Sequence, residues 1–130
     1  MTNNDIHGLA HIGLTVPSIS MAEAFYTQLL GFVNIYSYRY NGQIPVAFLK
    51  NGNCVIELVE DPQASPADGV VNHIAFAVED IEAVKARLEQ ANVPFEDTQI
   101  THCPDCFPNG TKWILFRGVC GERLEITQAL

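Results

Sequence analysis

A pattern that occurs twice constrains this chain more than any other feature. LAHIGLTV occupies residues 9–16 and VNHIAFAV residues 71–78. Each copy places a histidine third in an alternating apolar run that reads as a half-buried strand. Each leads into a short amphipathic helix pattern, and each half later ends in a strand with a glutamate inside an apolar frame. Those strands are VIELVE, carrying Glu57, and RLEITQ, carrying Glu125. His11 and His73 are 62 residues apart and Glu57 and Glu125 are 68 apart, so the second half holds a small insertion. The repeat yields one His and one Glu per half.

Between the repeated strands the punctuation is regular. After the first strand, Ser20 and Glu23 have capping-box spacing, Ile19 sits where a staple residue belongs, and Gly31 falls where a left-handed C-terminal residue is wanted. Ala22, Phe25 and Leu29, with Tyr26 and Leu30 beside them, form the helix's apolar stripe. Strand-like runs follow near residues 33–40, 44–50 and 54–60, separated by the hairpin signals Asn41-Gly42 and Asn51-Gly52. A polar connection with Pro62 and Pro66 joins the halves. In the second half Asp80 caps a helix whose stripe is Ile81, Val84, Leu88 and Ala91, with Asn92 near its end. Extended runs follow near residues 95–101, 111–117 and 122–128.

The expected fold is α+β: two tandem β-α-β-β-β modules, about residues 6–62 and 69–130, forming a curved sheet cleft with one helix packed outside each. At 130 residues they make a single domain with a real core. Hydrophobic content of 48% and charged content of 17% fit a soluble globule rather than a disordered chain. The formal charge of -8 opposes nucleic acid or an anionic membrane as partner. Nothing reads as a signal peptide or a bilayer-spanning run, and four cysteines without a secretory signal read as reduced thiols, so a cytoplasmic protein is expected.

Alternation sorts the strand faces. Ala10, Ile12, Leu14 and Val16 share one side, with His11, Gly13 and Thr15 on the other. Ile74, Phe76 and Val78 lie opposite His73, Ala75 and Ala77. Ile56 and Leu58 point away from Glu57, as do Leu124 and Ile126 from Glu125. The large apolar side chains can therefore pack on the helices, while both histidines and both glutamates take the opposite face. Taken singly, each His reads as a satisfied strand histidine and each Glu as a solvated strand face. Four at duplicated positions with matching side parity read as a metal site, with His11, Glu57, His73 and Glu125 as ligands.

At AHIGLTV, FYTQLLGF, VIELVE, NHIAFAV with its DIEAVKARLEQANV helix, and GERLEITQ, the chain resembles the vicinal oxygen chelate superfamily. That superfamily includes glyoxalase I, methylmalonyl-CoA epimerase, extradiol dioxygenases, and fosfomycin and bleomycin resistance proteins. The resemblance spans essentially the whole chain and implies paired β-α-β-β-β modules with metal ligands on the first and last strands of each. Carried over, these positions are again His11, Glu57, His73 and Glu125. A glutamate at Glu57 looks like the glyoxalase I or epimerase branch rather than the two-His, one-carboxylate pattern of dioxygenases and fosfomycin enzymes. The implied cofactor is a divalent ion, nickel or zinc first, with cobalt, manganese or iron as further options.

The resemblance further implies a glyoxalase I-like (lactoylglutathione lyase-like) lyase or isomerase, removing a proton next to a carbonyl while the metal holds the enediolate. Glu125 would be the base, with Glu57 reprotonating the neighbouring carbon or serving as ligand alone. The alternatives are an epimerase-like enzyme and a non-catalytic bleomycin-resistance-type binding protein. Two departures stand against a closer match. Thr15 occupies the position of an arginine usual in glutathione-type glyoxalase I, and Asn41 or Gln43 stands near an epimerase's second glutamate. The expected partner is a small-molecule substrate, with a homodimer carried over from the family.

Other residues admit two readings. His102, Cys103 and Cys106 suggest zinc or redox chemistry, but Phe-Pro-Asn-Gly follows, which is turn chemistry, and the pair reads better as loop thiols. Cys54 and Cys120 read as small strand or turn residues. Tyr36, Tyr38 and Tyr40 share a strand face, more an ordinary aromatic face than a substrate wall. Arg123 shares Glu125's side and would pair with it or meet an anionic substrate. Arg39, Lys112 and Arg117 are further candidate cations, and His7 reads as an exposed terminal residue.

Overall fold

In the computed structural model, which describes residues 8–69, 71–106 and 108–130, the repeat becomes two β-α-β-β-β modules. His7 lies outside the described residues, as does Phe107 of the cysteine loop. The chain divides between Ala64 and Ser65 into two compact units, one module in each. The first holds β1 (Ile12–Val16), α1 (Ile19–Leu29), β2 (Val33–Tyr40), β3 (Ile44–Asn51) and β4 (Cys54–Glu60). The second holds β5 (Ile74–Ala77), α2 (Ile81–Gln90), β6 (Thr101–Cys103), β7 (Thr111–Arg117) and β8 (Arg123–Ala129). The sheet orders are β1-β4-β3-β2 and β5-β8-β7-β6. In both, the first strand runs parallel to the last, and the remaining pairs are antiparallel.

The side parity expected from alternation holds. Val16, Val46, Ile56 and Leu58 are buried in the first module with Ala22, Phe25 and Tyr26 of its helix. Tyr26 is fully enclosed, edge-on to Phe25 at 5.2 Å and to Phe32 at 5.4 Å. Ile114, Phe116, Leu124 and Ile126 are buried in the second, as are Ile81 and Leu88 of its helix. Burying a side chain of this size contributes about 1.5–3 kcal/mol, so these paired stripes hold each helix on its sheet. Ala91 lies outside its expected stripe and is exposed, beside Asn92 at a positive φ of 60° that closes the helix.

The helix starts differ from the capping-box expectation. α1 is capped by Ser18, whose Oγ accepts the Met21 N–H at 3.3 Å; Glu23 instead accepts from Asn34 at 2.8 Å. The Ile19 N–H donates to Glu60 Oε1 of β4 at 2.9 Å. The second module repeats this plan: Asp80 accepts the Ala83 N–H at 3.1 Å, and the Ile81 N–H donates to Gln128 Oε1 at 2.9 Å. A residue from the last strand thus satisfies an orphan donor at each helix start. That partner is remote in sequence, which is why local spacing placed the first cap two residues late.

The expected strand at 95–101 is another correction. Phe95 makes only an isolated bridge to Phe116, and the ordered strand is the shorter β6. The reason lies in Asp97, whose Oδ2 accepts the Leu115 N–H at 2.9 Å where a neighbouring strand's carbonyl would otherwise accept. Cys103 and Cys106 are joined in a disulfide, Cα atoms 5.5 Å apart, rather than standing as reduced loop thiols. No helix among the described residues is long and apolar enough to cross a membrane.

Candidate functional site

Parallel pairing of the first and last strands sets a histidine beside a glutamate in each module. In the first, Gly13 stands opposite Glu57 and His11 immediately precedes β1. His11 Nε2 lies 3.5 Å from Glu57 Oε1. A Cβ on Gly13 would come within 3.4 Å of that same oxygen, so glycine leaves the carboxylate room. The His11 ring meets Phe48 edge-on at 5.4 Å.

In the second, Ala75 stands opposite Glu125 and His73 immediately precedes β5. His73 Nε2 lies 3.4 Å from Glu125 Oε1. Both histidines therefore sit at strand entries, one residue outside the ladder, rather than inside it. Their side chains are 41% and 37% exposed, whereas Glu57 and Glu125 are 22% and 15% exposed, so each pair joins an accessible imidazole to a half-enclosed carboxylate.

His73 carries an additional constraint. Its Nδ1 lies 2.8 Å from Asn72 Oδ1. An amide oxygen only accepts, so Nδ1 is the donor in this contact and Nε2 is the ring nitrogen that faces Glu125. Burial raises the Glu125 carboxyl above its ordinary range; His73 opposes that shift and the charge of Asp97 adds to it. Asn72 and Asp97 are the residues the sequence reading missed. Asn72 was visible only as the neighbour of a motif histidine, and Asp97 fell in a run expected to be strand.

The candidate cations are engaged elsewhere. Arg123 Nε binds Glu96 Oε2 at 2.9 Å, not Glu125. Arg117 pairs with Glu96 and, at 2.7 Å, with Asp68, so two carboxylates flank one guanidinium. These contacts hold the Glu96 and Asp68 carboxyls below the usual carboxylate range, through Arg123 first for Glu96 and Arg117 for Asp68. Lys112 binds Glu82 at 3.2 Å, and Arg39 donates to the Gln43 carbonyl at 3.1 Å. Tyr36, Tyr38 and Tyr40 are exposed, the first two rings 5.5 Å apart. Among the described residues, neither module by itself gathers three or more His, Cys, Asp or Glu side chains for a metal.

Known proteins resemble this chain in sequence or in fold. The protein YwbC of Bacillus subtilis (strain 168) is 34% identical over 123 residues, covering 91% of this chain and 94% of that protein. The crystal structure of the glyoxalase family protein from Enterococcus faecalis has a TM-score of 0.74 at 24% identity, covering 92% of this chain and 96% of that one. The fosfomycin resistance protein FosX from Listeria monocytogenes, complexed with Mn(II) and sulfate ion, has a TM-score of 0.76 at 20% identity, covering 96% and 94%. At residues 8–126 the chain matches a family profile, and it belongs to the Glyoxalase/Bleomycin resistance protein/Dioxygenase superfamily.

Proposed function

We propose that this chain is a metal-dependent lyase or isomerase of the glyoxalase I type, with His11 and Glu57 from one module and His73 and Glu125 from the other as the ligand set. One observation carries this reading: the same His–Glu pair recurs at the same strand positions, with Nε2–Oε1 separations of 3.5 and 3.4 Å. A charge-assisted hydrogen bond closes to about 2.7–2.9 Å. The wider gap fits two donors that share an ion roughly 2.0–2.2 Å from each, which stand roughly 3–3.5 Å apart. The Asn72 contact adds support, because a ligating histidine ordinarily donates its other N–H to an oxygen. Two imidazoles and two carboxylates suit nickel or zinc, and also cobalt, manganese or iron; FosX, which shares the fold, is complexed with Mn(II).

A bound divalent ion supplies electrostatic stabilisation of oxygen charge that develops at a carbonyl. The protein's own part is proton movement. Glu125 Oε accepts the proton from the carbon next to that carbonyl, and its raised pKa brings it nearer the working pH of a general base. Glu57 holds its place against Gly13 and either returns the proton to the neighbouring carbon or acts as ligand alone. Family likeness adds a homodimer, which a monomer mass by light scattering would remove.

The test is elemental analysis of tag-free protein beside His11→Ala and His73→Ala. About one transition metal per chain, lost in both variants, is expected. No metal, and no thermal shift with added nickel, cobalt, zinc or manganese, would sink the reading. Assays with the methylglyoxal–glutathione adduct and methylmalonyl-CoA then separate the lyase from the epimerase.

A further inference from the structure

The Cys103–Cys106 disulfide plays no part in the reaction proposed above. It lies at the end of β6, with only Pro104 and Asp105 between the two cysteines. Those two residues and the preceding His102 are exposed, and both cysteines are half-buried, so the bond stands in a surface turn. The constraint that a disulfide places on an unfolded chain grows with the loop it closes. Here the sequence separation is 3, so stapling is a weak reason for the bond.

Backbone contacts hold the turn as well. The Cys106 N–H donates to the Cys103 carbonyl at 3.4 Å, and Thr101, His102 and Cys103 pair in register with Trp113, Lys112 and Thr111 of β7. Gly110, at a φ of 92°, packs so closely that a Cβ there would stand 3.2 Å from Pro104 Cα and 3.3 Å from the Cys103 carbonyl oxygen. The Gly110 carbonyl accepts the Leu130 N–H at 3.0 Å, which ties this end of the hairpin to the chain just beyond β8. These contacts keep the two sulfurs near each other whether or not they are bonded, so released thiols stay placed to close again. Cys54 and Cys120 differ: burial raises both thiols, Cys120 to about 11, which leaves little thiolate for exchange. Beyond Cys106 the described chain runs through a turn into β7 rather than into a helix. No helix N-terminus lowers a thiol pKa there, and the pair suits equilibration with thiols of ordinary acidity.

We propose that Cys103 and Cys106 form a thiol–disulfide exchange site, opened by low-molecular-weight thiols and closed by their disulfides, with the β6–β7 hairpin intact in both forms. A small thiolate attacks one sulfur, the Cys103–Cys106 bond breaks, and a mixed disulfide forms while the other cysteine leaves as thiolate. A second small thiolate attacks the outer sulfur of the mixed disulfide and releases the remaining cysteine. Two small thiols are thereby oxidised to one disulfide, and the protein pair takes up the two electrons and two protons they gave up. The site is independent of the metal site proposed above.

The test equilibrates the whole protein with glutathione buffers that run from oxidised to reduced, with glutathione as the probe thiol. Exchange is quenched in acid, and free thiols are alkylated in denaturant and counted by mass. The expected result is a rise from two free thiols per chain to four within the buffer series, with the new pair mapped to Cys103 and Cys106 by peptide digestion. Amide NMR signals of Ile114 and Phe116 in β7 should stay in place on reduction while those of Asp105 and Gly110 move. A bond that resists every glutathione buffer and opens only to dithiothreitol is a structural staple, and that result would overturn the proposal. Four free thiols even in oxidised glutathione would overturn it too, since the pair would then not close. So would loss of the β7 signals on reduction, because the bond would then be holding the hairpin.

Discussion

In the first module His11 rests edge-on against Phe48, and the position before it is Ala10, with no side-chain acceptor. In the second His73 is tied to Asn72, and its carboxylate partner is held above its ordinary pKa by burial and by Asp97. The edges of the sheets differ as well. β2 is eight residues long and exposed throughout, whereas β6 has three residues and ends at the Cys103–Cys106 disulfide. Duplication thus preserved the strand order and the donor pair while their surroundings diverged. The first module offers an aromatic wall, and the second offers an amide oxygen to its imidazole and a burial that raises its carboxyl. Of the two glutamates, Glu125 is the one whose carboxyl burial raises, and it is the one we propose as the base.

Exchange of the carboxylates tests that difference hardest. Glu125→Gln should lower kcat by about a hundred- to ten-thousand-fold, the usual worth of a general base. Glu57→Gln should act more on metal retention than on kcat at saturating metal. Equal kcat losses at matched metal content would break the distinction between the modules.

The orienting amide comes next. Asn72→Ala should weaken metal binding about ten- to a hundred-fold, measured by competition with a chelator. Ala10→Asn, which transplants the acceptor into the first module, should tighten it. If Asn72→Ala leaves affinity unchanged, the hydrogen bond to His73 does not orient a ligand.

Smaller effects probe what the modules share. Ser18→Ala and Asp80→Ala remove equivalent helix caps, and each should cost about 0.5–2 kcal/mol in urea denaturation. A loss at only one cap would show that the helix starts are equivalent in geometry but not in energy.

Acid should distinguish the modules most gently. Glu96 and Asp68 have folded pKa values below their unfolded ones. Their contribution is therefore complete above the ordinary carboxylate range, about pH 4, and is lost as pH falls through the lowered folded values. Arg117→Met should make the denaturation midpoint less sensitive to acid than in the parent protein. Both carboxylates are largely solvated, so the change is expected to be slight. Unchanged acid sensitivity would remove the network from the stability of the second module.

Apolar stripes with capping residues sufficed to place both helices, and period-two alternation with a repeat spacing of about 62 residues placed most strands, the core stripe and the shared face of each His and Glu, because side parity follows directly from residue order. What lay beyond the sequence were partners chosen by packing. Ser18 rather than Ser20 caps α1, with Glu60 of β4 satisfying the Ile19 N–H. Asp97 takes a ladder donor and moves the sheet edge to β6. Arg123 turns to Glu96 although it shares Glu125's side of the strand. Sequence order determined which residues share a face. Only tertiary structure decided which neighbour each polar group on that face would bind, since those partners lie as many as 41 to 49 residues away and come within reach only once the strands are aligned.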